Sequence, residues 1–218
     1  MPPLPRAYPV PLIYREDWEI DARLVPFGVT RRELIEIARI VAGARADTVE
    51  NDPVTAEGLF AYIFGTRATR ALWRTKGWRL HRSENIEAVR HPKVMDWRII
   101  YQSVDIAASI SVEPRAVSGK GAGAERFIQA TQPSFFPSEE VKPSKFAPED
   151  RGTWFYCVSV NGDDVRAELS RPISVGGGNF EGFYERIFVI RDGEWSGLDV
   201  KPLADDGPTE FEPVVTRK

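Results

Sequence analysis

The chain is expected to fold as an α+β protein in which N-terminal helices pack on a mainly antiparallel β-sheet. Three features of the sequence point there. Helical periodicity is confined to residues 29–77, strand formers dominate residues 78–201, and an Asn-Gly pair at 161–162 reads as a tight hairpin. The 218 residues are 42% hydrophobic and 28% charged, which suffices for one domain with a substantial core. The expected organisation is an extended Pro-rich arm over residues 1–28, a single α+β domain over 29–201 and a polar tail over 202–218.

Five prolines at positions 2, 3, 5, 9 and 11 favour an extended arm with little internal hydrogen bonding. The first helix has the clearest signals. Thr30 and Glu33 have the spacing of a capping box, with Val29 and Leu34 at the positions of a hydrophobic staple. Leu34, Ile37, Ala38 and Val41 then recur at helical spacing and define a buried face. A second helix is expected to start at Asp52-Pro53, with Asp52 as cap and Pro53 in the first turn. Gly65 and Thr66 are expected to break it, Thr66 capping a further segment, RATRALWRTK, that stops at Gly77.

After Gly77 the pattern changes. WRLHR alternates, DWRIIYQSVDIAASISV is rich in strand formers, and WFYCVSV has the look of a buried strand. NGDD at 161–164 joins WFYCVSV to VRAELSR, since Asn-Gly supplies the positive φ of a hairpin turn. ERIFVI supplies another strand.

The net charge of −3 provides no global field toward nucleic acid or membrane, but the charge is unevenly spread. Residues 51–100 carry nine Lys/Arg against five Asp/Glu, and residues 151–218 carry eight against twelve. The longest apolar run, LFAYIF at 59–64, is far too short to span a bilayer, so no membrane partner is expected. No secretory-signal pattern is visible, which makes a bacterial-type cytoplasm the expected location. The lone Cys157 excludes an internal disulfide framework and reads as a buried thiol.

Two stretches carry the functional expectation. VSGKGAGAERF at 117–127 matches neither the Walker loop nor the dinucleotide fingerprint. A helix beginning near Gly123 would still aim free amides at an anion, with Arg115, Lys120 and Arg126 adding charge, so Gly121 and Gly123 join them as phosphate-binding candidates. Its competing reading is a surface connection whose glycines avoid strain. From Arg67 to Arg98 the chain holds nine Lys/Arg, with Arg67, Arg70 and Arg74 on one helical face. That row suits phosphates, and Trp73, Trp78 or Trp97 would stack on bases if exposed. Tryptophan in the core beneath a solvated helix face is the competing reading.

Catalytic candidates are weaker. Asp105, Glu113 and Glu125 approximate the carboxylates of a metal-dependent nuclease, with Mg2+ implied only in that case. Arg115 stands where such sites carry lysine, and a guanidinium stays protonated. His81 and His91 lack the spacing of a zinc site, so no structural metal is expected. Ser170 lacks the nucleophile elbow. The leading expectation is therefore a nucleic-acid-associated protein that binds the phosphate backbone through a basic helix and a glycine-rich loop, with nuclease activity as an extension. The alternatives are a protein–protein interaction module and an enzyme acting on a phosphorylated small molecule.

Overall fold

A computed structural model describes residues 9–83, 85–117 and 151–198. Its order is strand β1 (Leu12–Tyr14), helix α1 (Asp17–Leu24), a 3-10 turn (Val25–Phe27), and helices α2 (Arg31–Ala46) and α3 (Ala56–Thr75). Strands β2 (Arg79–Ser83), β3 (Ile86–Arg90) and β4 (Trp97–Ser103) follow, then β5 (Gly152–Asn161), β6 (Asp164–Gly176) and β7 (Asn179–Ile190). The strands form one mixed sheet in the order β1-β7-β6-β5-β4-β3-β2. Its pairs are antiparallel except β1 with β7 and β4 with β5. The protein is α+β.

α2 begins as its residues dictate. Thr30 Oγ1 accepts from the Glu33 amide at 3.2 Å, and the Glu33 carboxylate accepts from the Thr30 amide at 2.8 Å. Leu34, Ile37, Ala38 and Val41 are buried in the main apolar cluster. That cluster also takes in Trp73 of α3 and, from the sheet, Trp97, Tyr101, Trp154, Tyr156, Leu169 and Ile187.

Three local expectations change. Residues 12–27 are not an extended arm: they form β1, α1 and a 3-10 turn. Ile20, Leu24 and Phe27 are fully buried in the main cluster, and that burial outweighs weak local signals. Glu16 takes the N-cap position of α1, and Glu19 at N3 supplies the reciprocal half of a capping box, its carboxylate accepting from the Glu16 amide at 3.2 Å.

α3 runs unbroken through Gly65 and Thr66. Gly65 is there because the Tyr101 ring occupies the space that a Cβ would need. Asp52 caps nothing in α3; its carboxylate closes the preceding turn by accepting from the Val49 amide at 2.9 Å.

At the β5–β6 hairpin, Gly162 alone of the Asn-Gly pair takes positive φ (60°). Asn161 stays in β5, its side-chain amide donating to the Asp105 carbonyl at 3.0 Å. The β6–β7 turn uses two consecutive positive φ values, 56° at Gly177 and 84° at Gly178, as tight hairpin turns demand. The run read as strand-rich after Trp97 yields only β4, and its continuation from Asp105 to Arg115 is a loop.

Strand alternation splits the sheet into two faces. One packs into the main cluster with the helices. The other bears a smaller cluster of Ala88, Ile100, Val104, Ala107, Phe155, Cys157 and Val175.

Candidate phosphate-binding site

The cations expected to share a free face of α3 do not. Arg70 is half-buried and paired with Glu87 of β3, which also binds Arg82 of β2 at 2.9 Å. Arg67 is exposed, its guanidinium 4.9 Å from the centre of the Phe64 ring. Arg74 is exposed in the last turn. Trp73, Trp78 and Trp97 are all buried and interlocked edge to face, so none can stack on a base. Lys120, Gly121, Gly123, Glu125 and Arg126 lie outside the described residues.

Asp105 has a structural task. Its Oδ1 accepts from the Ile106 and Arg115 amides, each at 2.7 Å, and its own amide donates to the Arg115 carbonyl at 2.9 Å. These bonds close the loop at both ends. Glu113 and Arg115 are exposed on it. Among the described residues no group of three or more His, Cys, Asp or Glu is placed to hold a metal ion.

The loop is seated on the sheet by a buried ion pair that sequence reading passed over. Arg186 of β7 donates to Glu168 of β6 through Nη2 (2.6 Å) and Nε (3.0 Å), and Ser170 donates to the same carboxylate at 2.6 Å. The Ala108 amide donates to Glu168 Oε2 at 2.5 Å, while Arg186 Nη1 donates to the Ser109 carbonyl at 2.8 Å. Ala108 takes φ of 50° there, an uncommon conformation for a residue with a Cβ. The charged groups of this knot satisfy one another and the loop backbone, so it acts as a clamp on the loop. The alternation of VRAELSR was a visible signal that Glu168 and Ser170 share a face; the partner on β7 was not visible.

A different set of cations gathers on the face away from the helices. Register places Arg79 of β2 directly opposite Arg90 of β3, and Arg90 directly opposite Arg98 of β4. In β3, Arg90 shares a face with Ala88 of the small cluster, and in β4 Arg98 shares it with Ile100. Arg79 is exposed, whereas Arg90 and Arg98 are half-buried. His81 lies one pleat along the same face, opposite Ala88.

Like charges directly opposite across strands repel. The electrostatics record that repulsion. Burial and then the Arg90 charge lower the Arg98 pKa, with Asp96 opposing them. Burial, Arg98 and Arg90 lower that of His81. Arg90 Nε is buried with no hydrogen-bond partner among the described residues. Guanidinium forks in such a row can bridge one phosphate through parallel charged hydrogen bonds. Arg79, Arg90 and Arg98 all fall in the basic stretch picked out in the sequence, but helical spacing directed attention to α3. Pairing register alone brings them together.

Comparison with known proteins identifies no relative: no family model, curated protein or solved structure matches the chain.

Proposed function

We propose that the protein associates with nucleic acid through its phosphates, and that the arginine row across β2, β3 and β4 is the principal contact. The observation that carries this reading is the register Arg79–Arg90–Arg98, which sets three arginines directly opposite one another across neighbouring strands. Like charges so placed repel, and a bound anion offsets that repulsion. Exposed Arg67 and Arg74 lie on α3, which packs on the other face of the sheet, so they belong to a separate surface. Strand cleavage is not part of the proposal, because the Asp105 carboxylate is occupied by backbone amides. The proposed setting is a bacterial-type cytoplasm; no helix among the described residues is long and apolar enough to cross a membrane.

The test is fluorescence anisotropy with single- and double-stranded oligonucleotides at low salt. Wild-type protein should bind with an affinity that falls as salt rises, and Arg79→Gln with Arg90→Gln should flatten that slope by about one for each phosphate no longer neutralised. Absence of binding by wild-type protein at low salt overturns the reading.

A second reading has its own observation. The N-terminal half of α3 exposes Leu59, Tyr62, Ile63 and Phe64, with Val54 fully exposed just before it. Contiguous apolar side chains in water mark interaction surfaces. This favours a protein–protein interaction module, in which α3 carries the contact and the arginine row serves electrostatic steering.

A further inference from the structure

Resting on the nucleic-acid reading of the arginine row, we infer that this site recognises a phosphate monoester, the dianionic end of a strand, in preference to the diesters within it. Three properties of the row lead there. The first is its geometry. Neighbouring strands lie about 4.8 Å apart, so three directly opposed positions span only about 10 Å. The backbone positions of Arg79, Arg90 and Arg98 are therefore close enough for the three long side chains to reach one phosphate.

The second is charge. A monoester carries about −1.5 to −2 at neutral pH, whereas an internal diester carries a single charge. A dianion offsets the mutual repulsion of three closely spaced arginines more fully than a monoanion does. Burial first, and then the neighbouring guanidinium charge, lowers the pKa values of Arg98 and His81 on this face. A monoester also presents three terminal oxygens, which suits several forks at once.

The third is what surrounds the row. Proteins that hold the interior of a single strand interleave cations with aromatic platforms for the bases. Among the described residues the exposed aromatic side chains are Trp18 on α1, Tyr62 and Phe64 on α3, and Tyr184 on β7. α1 and α3 feed the cluster on the opposite face of the sheet, and the Tyr184 ring has the Arg171 guanidinium 4.9 Å from its centre. Phe180, half-buried beside the small cluster, is packed against Phe155 at 5.0 Å and Phe183 at 5.3 Å. Among the described residues no exposed Phe, Tyr or Trp lies beside the row, and the His81 ring on its face is half-buried, so the cations are the described groups that would meet a strand.

The experiment compares one single-stranded oligonucleotide with a 5′-phosphate, the same oligonucleotide with a 5′-hydroxyl, and a nucleoside 5′-monophosphate as competitor. The phosphorylated strand should bind about tenfold or more tightly than the hydroxyl strand. Arg79→Ala should erase most of that preference with no loss of thermal stability, since Arg79 is exposed on the sheet edge. Arg90→Lys, which keeps the charge but loses the fork, should erase it too. Equal affinity for the two strands overturns the inference and leaves the nucleic-acid reading standing. Tight binding of the monophosphate with no binding of either strand supports the monoester site and overturns the nucleic-acid reading. Failure of all three probes to bind overturns both.

Discussion

Glu168 and Arg186, neighbours across β6 and β7, join their side chains end to end in a knot where both are essentially excluded from solvent, at 0% and 1% exposure. The pair holds the 105–115 loop against the sheet through Ala108 and Ser109. Glu168→Ala leaves a buried guanidinium without its counter-charge and should cost about 3–5 kcal/mol, readable as a lower midpoint in urea. Replacing both residues by apolar ones of similar volume, Glu168→Leu with Arg186→Met, should recover most of that loss. If the single variant is as stable as wild type, the clamp does not hold the loop.

Gly65 and Tyr101 supply a second test. Alanine is about 1 kcal/mol better than glycine inside a helix, so Gly65→Ala would be stabilising on propensity alone. Here the new methyl would enter the Tyr101 ring. We expect net destabilisation of about 1–3 kcal/mol by overpacking, measured by thermal or chemical unfolding. A stabilised variant would mean that the ring moves aside freely.

His91 sets a pH dependence. Its Nδ1 accepts from the Lys93 and Val94 amides at 3.2 and 3.1 Å, and its ring stacks on Trp97 at 5.1 Å, so the folded protein holds it neutral. Burial, then the Lys93 charge, lowers its pKa. The unfolded chain titrates near the ordinary value of about 6.5 and binds more protons below it. The stability His91 contributes is therefore complete above about pH 6.5 and falls as the pH drops through the lowered folded value. His81, also lowered, acts in the same direction. Unfolding midpoints measured from pH 7.5 to 5 should fall in wild type and fall less steeply in His91→Asn.

Easing the arginine row should separate binding from stability. Arg98→Leu removes a desolvated like charge opposite Arg90, so the melting temperature should stay level or rise while oligonucleotide affinity drops. A large fall in melting temperature would show that Arg98 is needed for the fold.

The apolar face of α3 separates the two functional readings. Leu59→Ser with Ile63→Ser changes exposed side chains (52% and 38%) and should alter stability by no more than about 0.5 kcal/mol. Light scattering across a concentration series then reports whether that face drives self-association. Loss of association in the variant would favour the interaction module.

At α2 the governing contacts lie within one or two turns, and there the chain alone determined the result. Thr30 and Glu33 cap α2 from three residues apart, and Leu34, Ile37, Ala38 and Val41 carry its buried stripe, so composition and spacing suffice. The same locality places the β5–β6 hairpin at Gly162. Tertiary structure decided everything that depends on a distant partner. Gly65 reads as a helix breaker until Tyr101, from β4, fills the space beside it. Arg70 reads as a free cation until Glu87 reaches it from β3, and residues 12–27 read as an arm until the core takes Ile20, Leu24 and Phe27. The candidate site belongs to this second kind. Arg79, Arg90 and Arg98 stand eleven and eight positions apart with no periodicity in common. A slip of one residue in pairing would turn any of them to the opposite face, so their meeting is a property of register, which packing of the whole sheet sets.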